Sequence, residues 1–259
     1  MTTEIRIDHA EGITTLTIDR QAKKNALTDA MYAAMADALE HGDTDPITRV
    51  FLIRSEGEMF SAGNDLGEFA AIAMGAAATG SNGLTNVQRF LRALASTTKP
   101  VIAAVQGRAI GVGTTLLLHC DHVILAEDAQ LSTPFVNLAL VPEAASSLLL
   151  PSRIGHTRAF TMFALGDPVN ARDALAWGIA NQVVATSSLT STARAVAARL
   201  AKQPLGALIA TKQLMRAGDA VARQMETEGR VFLERLRTAE AREAFAAFAQ
   251  RRPADFSKL

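Results

Sequence analysis

The chain has 259 residues, about half of them apolar, which is enough to bury a core in one large domain or a domain with an extension. Its 26 basic and 26 acidic residues leave a formal net charge of zero, so nothing draws it generally to nucleic acid or a membrane surface, and scarce aromatics weaken a base-stacking role. The single cysteine, Cys120, excludes an internal disulfide and a multi-cysteine zinc site. With no targeting segment at the start and no apolar run of membrane-spanning length, a cytoplasmic protein is expected.

In chain order, Glu4–Asp8 and Ile13–Asp19 alternate in polarity and predict a hairpin across Gly12. A basic segment, Arg20 to Leu27, follows. Thr28 is placed to cap a helix that carries Met31, Met35 and Leu39 on one face and is ended by Gly42 and Pro46. Arg49–Arg54 (RVFLIR) has the length and composition of a buried strand, and Phe60–Leu66 (FSAGNDL) is a small-residue turn after it. Gly67 to Gly83 is rich in Ala and Gly. It reads either as helix turns and a loop beside that first turn or as a low-complexity surface insertion.

Thr85–Ser96 predicts a helix with Val87, Phe90, Leu91 and Leu94 in the core. Val101–Val105 is a second buried strand; Gly107, Gly111 and Gly113 break its pattern, and Thr114–His119 resumes as a helix. Val123–Ala126 is a third strand. Glu143 follows Pro142 ahead of an apolar helix bounded by Pro151. A helix over Arg158–Leu165 is closed by Gly166, and Asn170 caps another over Ala171–Trp177, closed by Gly178. After an extended piece at Val183–Val184 the chain is helical over 189–202, 205–217, 219–237 and 239–250. There Phe232, Leu236, Phe245 and Phe248 recur at spacings suited to apolar faces.

Two stretches therefore share one order: strand, small-residue turn, helix start. The first amides of a helix lack an internal partner and lie at the positive end of its dipole. One N–H from each turn, Ala62 and Val112, would form an oxyanion hole suited to a thioester oxygen that gains charge. The competing reading is that these glycines only let a helix pack closely on a strand. Gly111-Val112-Gly113 does not complete a dinucleotide fingerprint, because Leu116 stands where the third glycine belongs. There is no G-x-S-x-G and no P-loop. His119 and His122 lack the helical spacing of metal ligands and mark a helix end.

Glu143 admits two readings: a carboxylate favoured at a helix start, or a general base whose proton affinity is raised by apolar surroundings. The helix dipole would oppose that rise. Asn64 is either turn chemistry or a hydrogen-bond partner for a water or the base.

FSAGNDL, followed about forty residues later by KPVIAAVQGRAIGVG, resembles the crotonase superfamily, the enoyl-CoA hydratase/isomerase family. The resemblance implies a spiral of repeated β-β-α units over 1–188 and a C-terminal helical region, 189–259, that builds a homotrimer or hexamer. It implies an acyl-CoA thioester substrate, with coenzyme A entering as part of the substrate and no separate cofactor. The thioester would lie along Ser61, Gly63, Asn64, Asp65, Leu66 and Gly111, its oxygen on the amides of Ala62 and Val112. Lys23, Lys24 and Lys212 would meet the coenzyme phosphates; the alternative for each is a solvated surface lysine.

Hydratases of this family use two glutamates, and this sequence has Thr115 and Phe135 at the matching positions. TPFVNLALVPEAAS instead resembles the peroxisomal-type Δ3,Δ2-enoyl-CoA isomerases, whose single catalytic glutamate carries over to Glu143. Phe135 would then keep water away from a dienolate. The alternatives are hydration, hydrolysis or decarboxylation of a CoA thioester, or a non-catalytic member that binds a CoA ester or RNA.

Overall fold

The computed structural model describes residues 2–65, 67–68 and 85–257. Strands β1 (Ile5–Ala10) and β2 (Ile13–Ile18) form the expected hairpin. Both turn residues, Glu11 and Gly12, have positive φ, as a two-residue connection between twisted strands requires. Helix α1 (Asp29–Thr44) begins at Thr28, whose hydroxyl accepts from the Met31 amide. Then come β3 (Val50–Ser55), α2 (Asn86–Ser96), β4 (Val101–Val105), β5 (Arg108–Ile110) and the short α3 (Val112–Thr115). The chain continues through β6 (His122–Ala126), β7 (Gln130–Ser132), α4 (Ser146–Ile154), α5 (His156–Leu165), β8 (Val169–Asn170), α6 (Ala171–Ala176) and β9 (Gln182–Val184). Four helices close it: α7 (Leu189–Ala201), α8 (Leu205–Met215), α9 (Gly218–Leu236) and α10 (Ala239–Ala249).

Among the described residues the main sheet runs β1-β2-β3-β4-β6-β9, parallel except at the hairpin. Its central strands are buried on both faces, which explains their unbroken apolar runs. Phe51, Ile53, Ala103 and Val105 face α1 and α2 in the larger core. Val50, Leu52, Ile102, Ala104, Ile124 and Ala126 face the other way, against Ala193, Ala197 and Ala201 of α7. Alanines on that helix let it lie close to the sheet.

In a second sheet, β5-β7-β8, strand β5 follows β4 and strand β7 follows β6. Between β4 and β5 the corner is Gly107, at φ 55, where a Cβ would sit 1.9 Å from the Glu58 carbonyl oxygen. After β3 the chain makes the same step, and Ser61 pairs with Ala109 on the edge of the second sheet. Strand, second strand and helix thus recur along the chain, giving the expected spiral of β-β-α units. No helix among the described residues is long and apolar enough to cross a membrane.

Three local expectations need correction. Gly42 does not end α1, which runs through it to Thr44; a Cβ at Gly42 would meet the Phe51 ring at 2.6 Å, so this glycine serves helix–sheet packing. The helix after Glu143 starts three residues later than Pro142 suggests, and Pro151 lies inside it. The segment 114–119 is not one helix but α3 followed by a 3₁₀ turn, Leu116–His119.

Lys212 is neither a surface lysine nor a wall of the large cavity described below. It is 7% exposed, and its ammonium donates to the Lys99 carbonyl at 2.6 Å and to the Asp121 carboxylate at 2.7 Å. Burial lowers its proton affinity and Asp121 partly restores it. Asp121 also accepts from the Val101 amide at 2.8 Å, so the pair ties α8 to the start of β4. The ammonium expected to meet a coenzyme phosphate is instead paired inside the fold.

Lys212→Met should therefore act on stability. Removing one partner of a buried pair costs about 3–5 kcal/mol, and water reaching Asp121 reduces this to roughly 1–3 kcal/mol. Thermal unfolding measures the loss, and calorimetric titration with an acyl-CoA measures binding by the folded variant. Unchanged stability with lost binding would return Lys212 to the ligand.

Candidate active site

The two glycine turns lie against each other because their backbones are paired. The Ser61 amide donates to the Arg108 carbonyl at 3.1 Å, and the Ile110 amide donates to the Ser61 carbonyl at 3.0 Å. Ser61 is fully buried and its hydroxyl donates to the Asn25 carbonyl at 2.9 Å. Side chains would separate the turns: a Cβ on Gly63 would lie 2.9 Å from the Ile110 oxygen, and one on Gly113 would lie 3.1 Å from the Ser61 Cβ. Gly111 meets no such obstacle; its φ of 57° with ψ of −119° is what demands glycine there.

The pairing decides which amides are available. The Ala62 N–H, expected to be a donor to the thioester, already donates to the Lys24 carbonyl at 3.0 Å. The Gly63 N–H donates to Ser61 Oγ at 3.1 Å. The Leu27 amide donates to Gly63 O, and the Asp65 amide to Leu27 O. Gly63, at φ +90, breaks the two-residue alternation of a strand, so Ala62 and Asp65 both turn their amides to segment 24–27 and Asn64 does not. The Asn64 amide has no partner among the described residues. In the second turn Gly111 donates to Ser132 O, and Thr114 and Thr115 donate back to Gly111 O. The Val112 amide, first of its helix, is left over. The candidate donors are thus Asn64 and Val112, with Asn64 replacing Ala62.

Both residues line a cavity of about 1080 Å³. Ala62, Gly63, Gly111, Phe135 and Leu140 share its wall, while Phe232 of α9 and Phe248 of α10 come from the far end of the chain. Its wall carries Lys24, Arg108 and Arg252, the last paired with Glu243, together with the carboxylates of Glu56, Glu58 and Asp128. Sequence reasoning found Lys24 but missed both arginines; Arg108 sits between the glycines with nothing else to mark it. Lys23 is exposed in the 3₁₀ turn Gln21–Lys23 and is not part of the wall. Ser61 is buried behind it. Asp65 is held by Arg20 at 2.7 Å and accepts from the Gly67 and Glu68 amides. Burial opposes its ionisation, but these donors win and keep its carboxyl below the usual range. Asp65 and Ser61 therefore build the turn. Leu66 and residues 69–83 of the Ala/Gly-rich stretch lie outside the described residues.

Glu143 is not itself a lining residue. Its Oε1 is buried with no hydrogen-bond partner among the described residues. Burial raises its pKa to about 8, and the charge of Glu228 adds to the rise. The buried Tyr32 connects it to the wall. The Tyr32 phenol is pushed up by burial and by the charges of Glu143 and Glu68, and its hydroxyl donates to the side-chain oxygen of Asn64. The side-chain oxygen of Asn64 thus has a partner of its own. Thr115 is fully buried, its hydroxyl unpaired among the described residues, and Phe135 packs its ring 6.2 Å from that of Phe163.

The dipole expected to hold Glu143 down does not reach it. Ala144 and Ala145, at φ 61 and 54, place a left-handed bend between Glu143 and α4. Such residues cost of order 1–3 kcal/mol each and persist where their surroundings hold them. The free amides at the start of α4 are taken by Glu228: Ala145 donates to it at 2.6 Å and Ser147 at 2.9 Å. No local sequence signal marks Glu228, which lies more than 80 residues away.

A family profile described as enoyl-CoA hydratase/isomerase matches residues 8–258. The chain is 34% identical to the 1,2-epoxyphenylacetyl-CoA isomerase of Escherichia coli K12, over 98% of each protein. It is 33% identical to a probable enoyl-CoA hydratase of Rhodobacter capsulatus, over 98% of this chain and 97% of that one. The crystal structure of an enoyl-CoA hydratase/isomerase from Pseudoalteromonas atlantica T6c superposes with a TM-score of 0.92 at 36% identity, covering 98% of this chain and all of that one. Overall likeness to an isomerase and to a hydratase is equal, so the residues must separate the reactions.

Val112→Pro deletes one of the two candidate donor amides that line the cavity, at a helix position where proline is tolerated. Circular dichroism should show a folded protein, and turnover should fall by ~10²–10³, the usual loss of one oxyanion donor. Unchanged turnover in a folded variant would remove Val112 from the hole.

Proposed function

Since the chain belongs to the enoyl-CoA hydratase/isomerase family, we propose that it is a Δ3,Δ2-enoyl-CoA isomerase working through one carboxylate. One observation carries the reading: Glu143 is half-buried, with one carboxyl oxygen buried and without a partner among the described residues, while Thr115 and Phe135 fill the positions at which the family's hydratases carry glutamates.

Glu143, as carboxylate, takes the proton from C2 of a 3-enoyl thioester. The electron pair spreads through the C3=C4 bond and onto the thioester oxygen as a dienolate. The amides of Asn64 and Val112 receive that charge, which they are arranged to meet before it develops. The protonated Glu143 returns its proton to C4, leaving the double bond between C2 and C3. No water enters the balance, and the buried pair Phe135 and Phe163 favours a dry site. Lys24 and Arg108 supply charge for the coenzyme phosphates. The exposed Leu214 and Met215, at 90% and 81%, suit burial against neighbouring subunits in a trimer or hexamer.

A pKa near 8 sets the pH dependence. The base form grows as pH rises, so kcat/KM should climb through about pH 8. Stability has the opposite sign. The folded value lies above the ordinary 4.5, so folding takes up a proton between these values and stability falls as pH rises across that window.

Glu143→Gln keeps the shape but accepts no proton. Single-turnover isomerisation of a 3-enoyl-CoA at saturating substrate should slow by ~10²–10⁴. The C2 proton should cease to exchange with deuterated solvent, and above pH 8 the variant should melt at a higher temperature than the parent. A folded, substrate-bound variant of undiminished speed would reject Glu143 as the base. A parent that hydrates 2-enoyl-CoA as fast as it isomerises would reject the reaction class.

A further inference from the structure

The bend that carries Glu143 is held from two sides by residues the reaction does not use. On one side the buried His119, at the end of the 3₁₀ turn after α3, donates from Nε2 to the Ala144 carbonyl at 2.7 Å. Burial keeps this imidazole neutral, lowering its pKa to about 4. On the other side Glu228 of α9, 6% exposed, accepts from the Ala145 and Ser147 amides and from the Ser147 hydroxyl. Gln224, one turn earlier on α9, donates to Ser147 Oγ at 2.8 Å, so the hydroxyl proton itself goes to Glu228. Every group bonded to Glu228 is a donor, which suits a carboxylate, an acceptor only. The left-handed pair Ala144–Ala145 is thereby gripped at a carbonyl and an amide in succession.

Resting on the reading of Glu143 as the base, we propose that Glu228 is a positioning residue: from α9 it fixes the Ala144–Ala145 bend and so sets where the Glu143 carboxyl points. Its negative charge has a second effect, opposing the ionisation of Glu143. The other groups around the bend are neutral His119 on one side and the Tyr32 phenol of α1, which feels Glu143 and Glu68. Arg235 of α9 lies further off, donating to the Ala139 carbonyl. Glu228 is the charged group that bears on Glu143 most directly.

The test uses Glu228→Gln and Glu228→Asp in the full-length enzyme, with Glu143→Gln alongside. Gln removes the charge and sets an NH₂ donor against an N–H donor. Asp keeps the charge but is too short to hold both amides. Rates of 3-enoyl-CoA isomerisation are measured across pH, with circular dichroism for folding. Glu228→Gln should lose roughly tenfold to 100-fold in kcat, as expected of a misaimed base, with KM little changed. The midpoint of its pH–rate profile should move to lower pH. Glu228→Asp should lose kcat with the midpoint near that of the parent.

Parental kcat and midpoint in Glu228→Gln would overturn the proposal, as would a fall in kcat with an unshifted midpoint in both variants. Should Glu228→Gln not fold, parental turnover in Glu228→Asp would overturn it as well. Glu143→Gln separates the two readings: if it is inactive while the Glu228 variants match the parent, only the positioning role fails. If Glu143→Gln itself retains parental speed, the base reading fails and this role with it.

Discussion

Ser61 exchanges two backbone hydrogen bonds across to β5, accepting from Ile110 and donating to Arg108, and the geometry of the site depends on that exchange. It brings together two turns that lie some fifty residues apart in the chain. The glycines at 63 and 113 matter because they let the turns touch, and Gly63 matters again because its positive φ rotates the next amide away from segment 24–27. Backbone pairing alone leaves the Asn64 and Val112 amides without partners among the described residues. A donor held in a hydrogen-bonded backbone needs little reorganisation when charge arrives, which is why such donors are effective in catalysis.

The second constraint is the placing of two carboxylates around one helix start. Glu228 occupies the free amides of α4, and Glu143 sits beyond the left-handed bend where those amides do not reach it. One carboxylate is stabilised as an anion by donors, though burial still raises its proton affinity. The other has a buried oxygen without a partner among the described residues and is raised to about 8. Environments that push two like groups apart in this way divide an acid–base role from a structural one. The helices beyond residue 189 take part directly. Glu228 and Phe232 lie on α9, Phe248 lies on α10, and α7 closes the back of the main sheet.

Much of the fold was legible because its signals are local. Buried strands such as Val101–Val105 are continuous apolar runs, Thr28 caps its helix one residue ahead of it, and Asn170 does the same for α6. Local signals misled where a distant contact overruled them. Gly42 reads as a helix stop, yet α1 runs through it, and the Phe51 ring of the next strand lies where a side chain would sit. Lys212 reads as a free charge, yet Asp121 and the Lys99 carbonyl hold it inside.

The sequence by itself determined the kinds of group at the site: two glycine turns, one glutamate in an apolar stretch, and Thr115 and Phe135 where a second chemistry would need carboxylates. These are matters of residue type and short spacing, on which composition and local backbone preference act directly. Only the tertiary structure decided that Asn64 rather than Ala62 offers its amide, because that choice depends on which carbonyl each N–H meets across the spiral. Only the tertiary structure decided that Glu228 takes the helix start and that the Glu143 Oε1 has no partner among the described residues. A hydrogen bond spanning more than 80 residues leaves no trace in either segment alone.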